Sequence, residues 1–275
     1  MREASAFDLC SLSVTDPLED EDSIAGQLGL LLDLHLDGER QGPGSDQATR
    51  IAIGLAGLEA MTDLTIADIG CGTGASTLVL AQDLDAQITA VDFLSPFLHR
   101  LDDSAERLGL ADRITTHAAS MDELDFDEAS LDVIWSEGAI YNIGFQHGVR
   151  SWRRFLRPGG VLAVSEITWL TDRRPVELED HWTSEYPEVA TASTKLAVLE
   201  ASGFSPLGYF ALPESCWLDH YYQPMQNRFG AFLDRHGHSA AANDIVEAEK
   251  HEIDLYERFS TFVSYGFYIA TRTAA

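Results

Sequence analysis

From residue 64 onward the chain alternates short apolar runs with helix-period segments. The first junction of that alternation is Asp68-Ile69-Gly70-Cys71-Gly72-Thr73-Gly74. An apolar run (Leu64, Ile66, Ala67, Ile69) precedes the glycines and a helical pattern (Ser76, Leu78, Val79, Leu80, Ala81) follows them. Three glycines therefore occupy a tight strand-to-helix turn, where positive φ angles and close approach of a ligand to bare backbone are both needed. The alternation continues with strands expected at 64–69, 87–92, 113–117, 131–136 and 160–166, and helices at 75–84, 95–109 and 147–156. A chain with this rhythm folds as an α/β domain whose parallel sheet is covered on both faces.

The flanks are less regular. Residues 1–22 read as an acidic, weakly ordered tail, and residues 23–275 as one domain. Ser23 caps an expected helix to about Leu36, and Ser45 caps another through Ala60. After Glu166 the rhythm breaks. Residues 167–190 and 213–262 read as lid segments around a helix near 191–202 and a strand near 204–211, and a last strand is expected near 264–272.

The formal net charge is −27, with 45 acidic residues against sixteen arginines and two lysines, Lys195 and Lys250. Such a chain repels phosphate backbones and anionic bilayers, so nucleic-acid and membrane partners are excluded from the expected function. A surface rich in aspartate and nearly free of lysine suits a salty solvent, where screening suppresses self-repulsion. Cys10, Cys71 and Cys216 form no CxxC pair, so neither zinc nor a disulfide framework is expected, and no other cluster has metal-ligand spacing. With no basic-then-apolar leader, a cytoplasmic location is expected.

Gly70-x-Gly72-x-x-Ala75 fits a dinucleotide fingerprint, and Asp92 ends the next strand about twenty residues on. A carboxylate there accepts ribose hydroxyls, which NAD and S-adenosylmethionine (SAM) both carry. Three features separate the two. Asp68 precedes the glycines, where a carboxylate fixes the loop and attracts an ammonium group through water. Leu131-Asp132 opens a strand, and Leu156-Arg157-Pro158-Gly159-Gly160 reads as a helix end and turn before another strand.

In this order, these pieces resemble the class I SAM-dependent methyltransferases, in particular the small-molecule UbiE-like, type 11 branch. The resemblance covers about residues 40–211 and, more loosely, the final strand. Segments 40–45, 136–145 and 165–169 look like those of a bacterial methyltransferase subgroup. The resemblance implies a Rossmann-like, doubly wound, mostly parallel seven-stranded sheet with an antiparallel last strand and helical lid insertions. It implies SAM as cofactor, S-adenosylhomocysteine (SAH) as product, a small-molecule methyl acceptor, and a monomer or homodimer.

Residue by residue, the resemblance lays backbone at Gly70, Cys71 and Gly72 along SAM, Asp92 on its ribose and Phe93 on its adenine. Ser120 stands where the family often carries an adenine-reading aspartate, which shifts that contact toward Met121 or Asp122. Arg40 or Gln41 reaches the SAM carboxylate. Glu137 ends a strand at the carboxyl edge of the sheet, where it anchors the SAM ammonium or the acceptor. The catalytic expectation falls on Glu137, Tyr141 and His147, and the acceptor pocket on Tyr141, Trp169, His181, His220, Tyr221 and Tyr222. Ser-Glu-Gly-Ala at 136–139 differs from the Asn/Asp-Pro-Pro-Tyr/Phe of amino-directed nucleic-acid and protein methyltransferases. Two readings follow: an enzyme methylating N, O or S of a metabolite by in-line displacement, or a SAM-binding sensor or partner subunit without catalysis.

Overall fold

The computed structural model describes residues 21–274, with side chains from Gly26 onward. The acidic segment expected over 1–22 lies outside the described residues except for its last two, and so does Cys10. The eight strands are β1 (Leu64–Ile69), β2 (Ala86–Asp92), β3 (Ile114–Ala118), β4 (Leu131–Glu137), β5 (Leu156–Trp169), β6 (Ala190–Thr191), β7 (Phe204–Ala211) and β8 (Val263–Arg272). They form one sheet in the order β3-β2-β1-β4-β5-β8-β7. Strands β1 to β5 run parallel, and β8 is antiparallel to both β5 and β7. The two-residue β6 is additional to the seven expected strands and pairs only with the end of β5, at Thr168 and Trp169.

Side chains in a strand alternate between faces, and here both faces are apolar. Ile66, Val133, Trp135, Ala163, Phe267 and Ile269 pack into one buried cluster. Their neighbours Ala67, Ile134, Leu162, Val164, Tyr268 and Ala270 pack into the other. The first face is covered by α1 (Glu21–Leu36), α2 (Asp46–Ala56), α3 (Ala75–Asp83) and α4 (Ser95–Leu108), and the second by α5 (Phe145–Trp152) and α7 (Ala192–Ala201). Ser45 caps α2 by accepting the Ala48 N–H at 3.1 Å, and the helix stops at Ala56 before a short 3-10 turn, Leu58–Ala60.

Two expectations change. Pro158-Gly159-Gly160 is not a turn ahead of the strand. It is a bulge inside β5, because Leu131 pairs with Leu156 while Val133, two residues on, pairs with Val161. Beyond the expected end at 166, β5 continues to Trp169, and α6 (Val176–Glu185) fills much of the segment after it. The second lid segment runs through a helical turn (Ser215–Trp217) and a π-helical turn (Leu218–Tyr222) into α8 (Gln223–Arg235) and α9 (Ala240–Phe259). Among the described residues, no helix is long and apolar enough to cross a membrane.

Candidate active site

The strand order reverses direction between β1 and β4, and open α/β sheets bind ligands in the crevice beyond the strand ends at such a point. A cavity of about 450 Å³ lies there, within the range of small-molecule and cofactor sites. Its floor is the glycine loop. Gly70 and Cys71 both donate N–H bonds to the Val91 carbonyl, at 2.8 and 3.0 Å. Gly72, at φ +55°, donates to Asp92 Oδ2 at 2.9 Å. A Cβ at Gly70 would collide with the Ala139 Cβ, and one at Gly72 would displace the Gln41 amide.

Asp92 also accepts the Leu94 N–H on Oδ1, at 2.9 Å. Burial raises its pKa, and these backbone bonds pull the other way. Each carboxylate oxygen takes one backbone donor and keeps acceptor capacity toward the cavity. Phe93 beside it is 58% exposed, an unusual state for a phenylalanine, and it forms part of the cavity rim with Ser120, Met121 and Asp122. The Met121 carbonyl is fixed by Trp152 Nε1 at 3.0 Å.

A strap formed by residues 38–44 closes the other side. Gln41 Oε1 accepts from the Thr73 N–H at 2.9 Å and from Thr73 Oγ1 at 3.1 Å, while its Nε2 donates to the carbonyls of His35 and Gly38. Arg40 donates to Glu137 Oε2 and to Asp46 Oδ1, both at 3.1 Å. Glu137 Oε1 accepts from Thr49 Oγ1 at 2.7 Å and from Trp135 Nε1 at 3.0 Å. Gly44 N–H reaches the Cys216 carbonyl at 3.3 Å, tying the strap to the lid. The Glu137 side chain is only 8% exposed and accepts from three side-chain donors, an arrangement that holds Arg40 in place.

Asp68 does not line the cavity. It is fully buried, and its Oδ2 accepts from Ser76 Oγ and Thr77 Oγ1 at 2.8 and 2.7 Å, fastening the first turn of α3 behind the loop. Burial, only partly opposed by those two hydroxyls, pushes its pKa up to about 7. Cys71 lines the cavity, but burial raises its thiol well above the ordinary value. A thiol held protonated is inert, which leaves packing as its role.

At the far end, Tyr141 lines the cavity and meets Tyr186 edge-to-face at 6.1 Å. Behind this pair, Lys195 and Glu166 form a buried ion pair, and the Lys195 ammonium lies over the rings of Phe145 and Tyr186, 4.6 and 5.0 Å from their centroids. Burial lifts the Glu166 pKa to about 7 against the pull of Lys195. The sequence carried no signal for this pair, because a lysine in a short helix ordinarily faces solvent.

The structure brings together Arg40, Gln41, Gly70, Cys71, Gly72, Asp92, Phe93, Ser120, Met121, Glu137 and Tyr141 around one cavity. It does not bring His147 there: that ring is exposed on α5, 3.2 Å from Ser151 Oγ and 3.6 Å from Asp122 Oδ1. Five of the six residues expected in an acceptor pocket also lie outside this cavity. Trp169 is buried in the core under the Arg174 guanidinium, 4.3 Å from its ring. His181 packs against Trp182 and His251, with its pKa lowered to about 4 by burial. His220 faces solvent. Tyr221 and Tyr222 are buried among lid aromatics that include Trp217, which stacks on Tyr256 at 4.4 Å. His181, Tyr221 and Tyr222 share one physical reason: large rings at helical spacing are what a lid needs in order to pack onto the sheet. Leu28, Pro43, Ala139 and Asn142 line the cavity without having been singled out. Pro43 and Asn142 fall inside the segments at 40–45 and 136–145 that carried the family resemblance.

A family model described as a methyltransferase domain matches residues 66–160, the span from β1 through the glycine loop to the β5 bulge. The 27-O-demethylrifamycin SV methyltransferase of Amycolatopsis mediterranei (strain S699) is 28% identical over 167 residues, 58% of this chain and 61% of its own length. The chain thus spans less than two thirds of that relative. A SAM-dependent methyltransferase from Geobacter sulfurreducens, solved with SAH, superposes with TM-score 0.76 at 18% identity, covering 88% of this chain and 97% of the other. The [4+2]-cyclase SpnF superposes with TM-score 0.71 at 21% identity, covering 94% and 98%. At these identities both likenesses speak for the fold. With the glycine loop, the Asp92 strand end and the strand order on one framework, the chain has the fold of the SAM-dependent methyltransferases it resembles, and its residues 66–160 match a methyltransferase domain.

Proposed function

We propose that this protein is a SAM-dependent methyltransferase acting on N, O or S of a small molecule. The observation that carries the proposal is the chemical make-up of one cavity. A guanidinium (Arg40) stands on the strap side, a carboxylate with spare acceptor capacity (Asp92) ends β2, and an exposed aromatic ring (Phe93) adjoins that carboxylate. Those groups suit a ligand that carries a carboxylate, a vicinal diol and a flat base together. The glycine loop, where a Cβ at Gly70 or Gly72 would collide, suits close approach of its chain to the backbone. The residues present therefore fit SAM: Arg40 for its carboxylate, Asp92 for its ribose hydroxyls, and Phe93 with Met121 for its adenine.

Bound there, SAM supplies an electrophilic methyl group on sulfonium. The chain's own contribution is to orient the reactants and to exclude water. Tyr141 and Asn142, at the β4 side of the cavity, are placed to face an acceptor. Glu137 acts through Arg40 as a positioning residue. The charge of −27 disfavours polyanionic and membrane-bound acceptors.

Calorimetry with SAH and with NAD tests the cofactor, and release of SAH over a panel of small acceptors tests the reaction. SAH bound tightly and NAD not at all is the expected result. NAD binding without SAH binding overturns the proposal.

A further inference from the structure

His35 on α1 and Glu249 and Glu252 on α9 are all buried, at 0, 0 and 1% exposure. His35 Nε2 stands 3.8 Å from Glu249 Oε1, too far for a hydrogen bond. Both ring nitrogens of His35, both oxygens of Glu249 and Oε2 of Glu252 lack a hydrogen-bond partner, and only Glu252 Oε1 is served, by the Tyr222 hydroxyl at 2.8 Å. Five orphaned polar atoms exceed what one buried water satisfies, since such a water makes about three hydrogen bonds. Without a cation, burial and then the neighbouring Glu249 push the Glu252 carboxyl up to about 8, and a cation seated between the two acids would hold both ionised. The nearby Arg228 does not provide that pairing: its Nε and Nη1 donate to the carbonyls of Leu34 and Pro224. Among the described residues, no three acidic, histidine or cysteine side chains are arranged to hold a metal ion.

The walls are aromatic. Tyr221 stacks on His35 at 6.3 Å, Tyr222 lies 5.1 Å from Tyr221, and Tyr256 lies 5.7 Å from Tyr222. Carboxylates among aromatic rings are the composition that recognises an ammonium group. Tyr221 and Tyr222 also belong to the π-helical turn Leu218–Tyr222, a geometry frequent at functional sites.

The cluster adjoins the cavity through Tyr265. A Cβ at Gly138, in the cavity wall, would lie 2.8 Å from the Tyr265 ring. The Tyr265 phenol is held well above its ordinary pKa by burial first, then by Tyr141 and Glu252, so it feels both sites.

We propose that His35, Glu249 and Glu252, walled by Tyr221 and Tyr222, bind an alkylammonium group of the methyl acceptor, which makes the acceptor a small amine-bearing molecule. This rests on the methyltransferase reading. Glu249 and Glu252 pair with the cation's charge, its N–H groups serve their orphaned oxygens and one His35 nitrogen, and the tyrosine rings face its carbon substituents.

The full chain is titrated with tert-butylammonium chloride and with tert-butanol, its uncharged isostere, and tryptophan fluorescence is read, Trp217 being 5.7 Å from Tyr222. The cation is expected to saturate the signal and the alcohol to leave it unchanged. Glu249→Gln and Glu252→Gln should each weaken the cation at least tenfold, with SAH affinity kept within twofold. Equal response to both probes, no response to either, or wild-type cation affinity in both variants overturns the inference. Should a variant fail to fold, as circular dichroism reports, the wild-type contrast between cation and alcohol decides. Failure of SAH to bind is read separately and counts against the methyltransferase reading alone.

Discussion

Arg40 and Glu137 meet at 3.1 Å across 97 residues of chain, and this contact joins the strap to the carboxyl end of β4. Glu137 already accepts from Thr49 and Trp135, so its task is to aim the guanidinium. Glu137→Gln should weaken SAH binding roughly 10-fold or more, the scale of one hydrogen bond to a charged group. The pH profile of turnover should keep its shape. Calorimetry and a kcat–pH series check this, and loss of a titrating limb would make Glu137 a base instead.

Asp92 secures the loop through Gly72 and Leu94 and presents its carboxylate to the cavity. Asp92→Ala is expected to cost about 1–3 kcal/mol of SAH affinity through lost charge-assisted bonds. Unchanged affinity by calorimetry would remove Asp92 from the site.

Gly72→Ala places a methyl group on Gln41 Oε1 at a left-handed backbone position. The backbone cost is about 1–2 kcal/mol, a loss of roughly 2–8 °C in Tm for a domain of this size or somewhat smaller. The larger effect falls on the displaced strap, so SAH affinity should drop more than tenfold. Thermal melting and calorimetry on the same sample separate the two effects.

Asp68 has its pKa raised from 3.8 to about 7 by burial. A carboxyl raised on folding contributes stability that is full below its unfolded pKa and is lost as pH rises through the folded value. Stability should therefore increase as pH falls from 8 to 6, by about 1 kcal/mol from this group, with Glu166 and Glu252 acting in the same direction. Urea unfolding at the two pH values measures it, and Asp68→Asn should remove its share of the slope.

A formal charge of −27 implies self-repulsion that added salt relieves, because screening shortens from about 10 Å at 0.1 M to about 3 Å at 1 M. Tm should rise by several degrees between those salt concentrations. A flat profile would mean that pairs such as Arg50–Asp83 and Arg235–Asp33 already offset the repulsion.

The glycine loop and Asp92 were legible in the sequence because backbone geometry dictates their spacing: a strand end, a tight turn and the next strand end. The central strands were legible because they are apolar on both faces. Pro158-Gly159-Gly160 was misread because a turn and a bulge ask for the same residues. His181 was drawn toward the cavity because an aromatic ring at helical spacing looks the same whether it faces a ligand or a neighbouring helix, and Trp169 because a strand-end ring looks the same in a pocket or in the core. Lys195 with Glu166, and His35 with Glu249, left no local trace, since each pair joins elements remote in sequence. Gln41 was expected to reach the ligand. Its lock on Thr73 became visible only once the strap lay over the loop.

The strap is fastened at three places: the glycine loop through Gln41, β4 through Arg40, and the lid through Gly44. Opening this side of the cavity therefore means breaking all three ties, so the barrier to ligand passage there is set in a stretch of chain that precedes the first strand of the sheet.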